Sequence, residues 1–98
     1  MILVTGSVRV AADSLDEALR LSLEHVRRSR LEAGCRMHSV QVDVEDAHRL
    51  VFHEIWDDAA SLRAHFDLPE SGRFVTALTA LATSSPEMQV YDATPVRV

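Results

Sequence analysis

Leu50-Val51-Phe52-His53-Glu54-Ile55-Trp56-Asp57-Asp58-Ala59-Ala60-Ser61-Leu62-Arg63-Ala64-His65-Phe66 is the stretch around which the chain is organised. It reads as a strand that ends in a tryptophan, a turn on two aspartates, and a helix carrying a histidine. Leu50, Val51, Phe52, Ile55 and Trp56 put apolar groups on both faces of the strand, so neither face is suited to water. The turn brings Trp56 and His65 toward the same end of the sheet. The rest of the chain has to cover both faces and shape a pocket near that end.

Working outward, Ile2 to Val10 alternates Ile2, Val4, Gly6, Val8 and Val10 against Leu3, Thr5, Ser7 and Arg9, a strand with one apolar face. Gly6 leaves a gap in that face where something can approach the backbone. Ser14-Leu15-Asp16-Glu17 has the form of a capping box, and Leu15, Ala18, Leu19, Leu23 and Val26 follow at helical spacing. Gly34 is placed to end that helix, which is expected to span Leu15 to Ala33. Cys35 to Asp43 is a second strand. The polar turn from Val44 to Arg49 joins it to the third as an antiparallel hairpin whose register the sequence leaves open. Asp57 or Asp58 caps the next helix, Leu68-Pro69 breaks it, and Ser71-Gly72 restarts it through Phe74, Val75, Leu78, Leu81 and Ala82. Met88, Val90 and Tyr91 mark a last strand.

The resulting β-α-β-β-α-β order predicts an α+β fold of ferredoxin-like plan, a four-stranded antiparallel sheet with helices on one face, in one domain over residues 1–98. Ninety-eight residues are too few to divide into two cored units. The helices cover one face only, so the apolar residues on the other predict a homodimer packed sheet against sheet.

Composition narrows the partners. A net charge of −5 argues against nucleic acid, and no apolar run approaches membrane-spanning length. The one basic cluster, Arg27-Arg28-Ser29-Arg30, reads as a solvated helix face. Cys35 is alone, which suits a reducing compartment, and Met1-Ile2-Leu3-Val4 does not read as a signal peptide. A cytoplasmic protein is the expectation.

Glu32-Ala33-Gly34-Cys35, Asp43, Phe52-His53-Glu54-Ile55-Trp56, Ala64-His65 and Pro69 together resemble the antibiotic biosynthesis monooxygenase domain family. That resemblance implies a dimeric α+β barrel and, in some members, cofactor-independent monooxygenation of quinols or polycyclic phenols. Other members degrade haem or isomerise a phosphorylated sugar. The haem-degrading branch uses asparagine, tryptophan and histidine where this chain has Gly6, His65 and about Val75, so haem degradation is not expected. Arg36 and Arg73 are candidate phosphate contacts without further support. Ala33 replaces the usual proline, and His38 and His53 stand where tyrosine is common.

The candidate catalytic residues are His65, as a base near neutral pH, and Glu54, a carboxylate on an apolar strand that needs a partner and could orient His65. Candidate substrate contacts are Trp56, His38, His53, Phe66 and Phe74 around a small aromatic ligand. Protonating His53 would put charge into an apolar interface, so a dimer through that face should weaken below about pH 6. The histidines lack the close sequence spacing of a zinc site, and no phosphate loop or dinucleotide fingerprint is present, so neither metal nor cofactor is expected. The rival reading is a non-catalytic small-ligand-binding or accessory protein of the same fold.

Overall fold

Each turn of the chain is set by a local choice of cap or breaker. The computed structural model describes residues 1–98. Its elements are β1 (Ile2–Arg9), a 3₁₀ turn (Ala12–Ser14), α1 (Leu15–Ser29), β2 (Cys35–Asp43), β3 (Asp46–Trp56), α2 (Ala59–Asp67), α3 (Pro69–Leu81) and β4 (Glu87–Asp92). The strands form one antiparallel sheet in the order β2-β3-β1-β4. This is the α+β, ferredoxin-like plan expected from the sequence.

Three boundaries and one cap differ from expectation. The turn expected from Val44 to Arg49 narrows to Val44-Glu45, because β3 already begins at Asp46. Ser14 closes the 3₁₀ turn in a helical conformation, so its hydroxyl does not reach back as a cap, and Glu17 accepts from Arg20 instead. The first helix stops at Ser29, whose hydroxyl donates to the His25 carbonyl at 2.7 Å. Gly34 therefore sits in the following turn, at φ +84°, where a β-carbon would also collide with Ser61. Between the second and third helices, Leu68 is extended, as a residue before proline prefers, and α3 begins at Pro69 itself rather than at Ser71. Of the two aspartates after Trp56, Asp58 is the N-cap, accepting from the Ser61 amide at 2.8 Å. Asp57 pairs with Arg36, which removes that arginine as a free phosphate contact.

The register, open from sequence, assigns every strand residue a side. One row across the sheet is His38–Glu54–Val4–Val90, and the next is Val40–Phe52–Gly6–Met88. Both face the helices. There the main core forms from Val8, Val10, Ala18, Val26, Leu50, Phe52 and Leu78, with a second cluster of Val4, Trp56 and Leu62. Cys35 packs on this second cluster half-buried, and that burial pushes its thiol pKa up. On the opposite side, Met37–Ile55–Leu3–Tyr91 and Ser39–His53–Thr5–Gln89 form rows that no helix covers. No helix is long and apolar enough to cross a membrane.

Candidate active site

A cavity of about 120 Å³ lies between the helix side of the sheet and the helices. Gly6 contributes to it by omission: a β-carbon there would stand 3.3 Å from the Glu87 carbonyl and narrow the space beside Phe52. His38 arrives from β2, His65 from α2 and His25 from α1, and all three line the cavity with Phe66 and Phe74.

The three histidines are buried together. Their ring centroids are 5.3 Å (25–38), 5.1 Å (25–65) and 5.7 Å (38–65) apart. Phe74 stacks on His25 at 4.0 Å. Burial, reinforced by the neighbouring imidazoles, lowers the pKa of His25 and of His38 to about 3, so both are neutral at physiological pH. The approach of His38 Nε2 to Glu54 at 3.4 Å is therefore not an ion pair. Neither ring nitrogen of His38 has a hydrogen-bond partner.

His65 is held differently. Its Nδ1 lies 2.9 and 3.1 Å from the two carboxylate oxygens of Glu32, so Nδ1–H donates, and Nε2 on the other edge of the ring makes no hydrogen bond within the chain. Glu54, expected as the group that orients His65, does not do so. Its carboxylate accepts from the Trp56 indole N–H at 2.9 Å, while burial raises its pKa and that bond opposes the rise.

Of the residues singled out from sequence, His65, His38, Glu54, Phe66 and Phe74 line the cavity. Trp56 does not: it is fully buried as a wedge between Val4 and Leu62, its ring 4.7 Å from His65. His53 does not either, because its place between Phe52 and Glu54 turns it to the open side of the sheet. Four features escaped the sequence reading. His25 occupies the buried stripe Ala18-Ser22-His25-Val26-Ser29, whose three- and four-residue spacing was the available signal. Glu32 opens the Glu32-Ala33-Gly34-Cys35 turn of the family resemblance, but nothing in that motif pairs it with His65. Arg28 and Arg30 belong to the cluster read as solvated, yet Arg28 donates to His25 Nδ1 at 2.9 Å and Arg30 to the His38 carbonyl at 3.0 Å. And the histidines, scattered in sequence, converge in space.

A sheet of this order with a histidine-lined cavity under its helices defines a small α+β domain of ferredoxin-like plan. The chain belongs to the antibiotic biosynthesis monooxygenase family, whose pattern matches residues 1–77. A crystal structure named as an antibiotic biosynthesis monooxygenase is 28% identical, covers 97% of this chain and 100% of its own, and superposes with a TM-score of 0.89. Two more distant structures share the fold. A Deinococcus radiodurans protein is 21% identical (TM-score 0.94, 100% of this chain and 97% of that one). A Mycobacterium tuberculosis protein is 18% identical (TM-score 0.90, 99% and 98%). Among curated proteins, an uncharacterised Synechocystis protein is 31% identical over 90 residues, 92% of this chain. The chain spans 61% of that relative's length.

Proposed function

We propose that the protein is a monooxygenase acting on a single-ring quinol or phenol in the cavity under the helices. The observation that carries this reading is the His65–Glu32 pair, a buried imidazole whose carboxylate partner at 2.9 Å leaves Nε2 as the acceptor. Oxygenation of this kind needs the phenol deprotonated, so that the electron-rich anion can reduce oxygen itself. One oriented base supplies that step. The size of the cavity supports a single ring. About 120 Å³ compares with the ~150 Å³ cavity that takes up benzene. A single ring fits within it, whereas a polycyclic phenol would have to project past Phe66 and Met88.

The same proposal includes a homodimer through the open side of the sheet, in the cytoplasm. The uncovered row Met37–Ile55–Leu3–Tyr91 is apolar across all four strands, and a second copy offers the same row to bury it. Sedimentation of the purified protein should give twice the chain mass, and a monomer at micromolar concentration would sink the assembly.

For the chemistry, oxygen uptake with a panel of hydroquinones and substituted phenols should fall about 100-fold or more in His65→Ala and less in Glu32→Gln. Uptake unchanged in a folded His65→Ala protein would remove the base. Tight ligand binding without turnover in the wild type would favour the non-catalytic role.

A further inference from the structure

We propose that His25, His38 and His65 form a binding site for one divalent transition-metal ion of the zinc class, with a fourth position open to the cavity. One potential ligand nitrogen from each residue lies within 4.8 Å of the others, and all three rings are buried. Geometry allows a sharper test than proximity. With metal–nitrogen bonds of about 2.0–2.1 Å in a tetrahedral arrangement, three imidazoles place their ring centroids about 5 Å apart and their ligating nitrogens about 3.4 Å apart. The observed centroid triangle of 5.1, 5.3 and 5.7 Å already has that size. What remains is to turn the rings so that their nitrogens converge, with little movement of β2, α1 or α2.

Two further observations point to a cation. His38 is 2% exposed and both of its ring nitrogens lack a partner, an arrangement that costs free energy unless something binds there. Two carboxylates stand just behind the rings. Glu32 receives the Nδ1–H of His65, the outer contact that fixes a ligating histidine's tautomer, and Glu54 lies 3.4 Å from His38 Nε2. Their negative charge would offset that of a divalent ion. Neutral nitrogen donors with one open side suit zinc, cobalt, nickel or copper better than magnesium or calcium.

One contact opposes the ion. Arg28 donates to His25 Nδ1 at 2.9 Å, which places the His25 proton on Nε2. Ligation through Nε2 moves that proton to Nδ1 and turns the half-buried guanidinium out toward solvent. Arg28 is thus a negative regulator of the site, and its removal should tighten binding.

The inference does not depend on the quinol reading, because the ion would bind with no substrate present. With the ion bound, the His65 lone pair is used and the metal takes over the acidification of a phenol oxygen in the fourth position.

The test uses untagged, chelator-treated protein titrated with Co²⁺ and then Zn²⁺ in the absence of substrate. One Co²⁺ per chain is expected, with the intense visible bands of a four-coordinate ion, displaced by one Zn²⁺ that raises Tm. His38→Ala and His25→Ala should abolish the bands, Glu32→Gln should weaken binding about 10- to 100-fold, and Arg28→Met should strengthen it. His48→Ala, at an exposed position near the start of β3, should bind as wild type. Circular dichroism checks that each variant folds, and if His38→Ala does not, the wild-type stoichiometry and the Arg28→Met shift decide. No cobalt bands in folded wild-type protein would overturn the proposal, as would equal binding by the folded triple alanine variant. Oxygen uptake lost on chelation and restored by metal would place the ion in the reaction. Binding without any uptake would leave the ion site standing and defeat the oxygenase reading.

Discussion

The two sides of β3 carry the same kinds of residue to opposite ends. On the helix side, Phe52, Glu54 and Trp56 alternate, and the carboxylate between the two aromatics is bonded to the indole and faces His38. On the open side, Val51, His53 and Ile55 alternate, and the histidine between the two aliphatics meets only Thr5 and Ser39 across the ladder. His38 and His53 sit one position apart in the register. One is sealed among rings and charges and the other is half-exposed on a bare sheet. A one-residue slip of either strand would turn its own histidine to the other side, so the register determines which histidine can do chemistry.

The largest effect should separate the two sides by stability. Leu50 is fully buried under the helices, whereas its neighbour Val51 is only partly covered in the single chain. Leu50→Ala should cost about 2–5 kcal/mol in urea unfolding, by loss of transfer energy and the cavity left behind. Val51→Ala should cost clearly less at high dilution, and show its effect in how stability depends on protein concentration if that side is covered by a second copy. Equal losses for the two at all concentrations would break the contrast.

Next in size is an acid effect confined to the helix side. His25 faces His38, His65 and Arg28, and His38 faces His65, with Arg30 bonded to its carbonyl and Glu54 beside it. Their folded pKa values of about 3 lie below the ordinary imidazole value near 6.5. The unfolded chain therefore binds protons that the folded chain refuses. The stability linked to these two groups is fully present above pH 6.5 and is lost as pH falls toward 3. Metal-free protein should lose about 2 kcal/mol for each of the two groups, about 4 kcal/mol together, between pH 7 and pH 5. His38→Gln, whatever its stability at pH 7, should flatten that slope. A urea midpoint that does not move over this range in the wild type would contradict the burial of the pair.

How much of this was legible before the structure differs between the two sides for a physical reason. The element order, the apolar strand and the break at Leu68-Pro69 are local signals, so the sheet and helices could be written down from propensity, period and turn chemistry. His65 could be found because it lies on an amphipathic helix beside a strand end. Glu32, its partner, could not. The contact spans 33 residues, from an irregular turn to a helix, and no periodicity marks such a residue. The histidine cluster was hidden for the same reason, since three elements each contribute one ring and sequence spacing carries no trace of their convergence. The capping box at Ser14 failed in the other direction. The motif was present, but a 3₁₀ turn ahead of it took away the extended backbone that the hydroxyl needs.

The smallest effect is expected on the open side, and it is informative because it is small. His53→Ala removes a half-exposed ring that lines no cavity and makes no side-chain hydrogen bond. Folding stability should change by no more than about 0.5 kcal/mol, the usual range for a surface substitution. Cobalt binding and oxygen uptake should both be as in the wild type. Sedimentation is the exception: if the open side seats a second copy, His53→Ala should change the concentration at which that dimer dissociates. A stability loss as large as that of a core residue would mean that the helices do not alone hold the single chain together. The two sides would then fold as one cooperative unit only within the dimer.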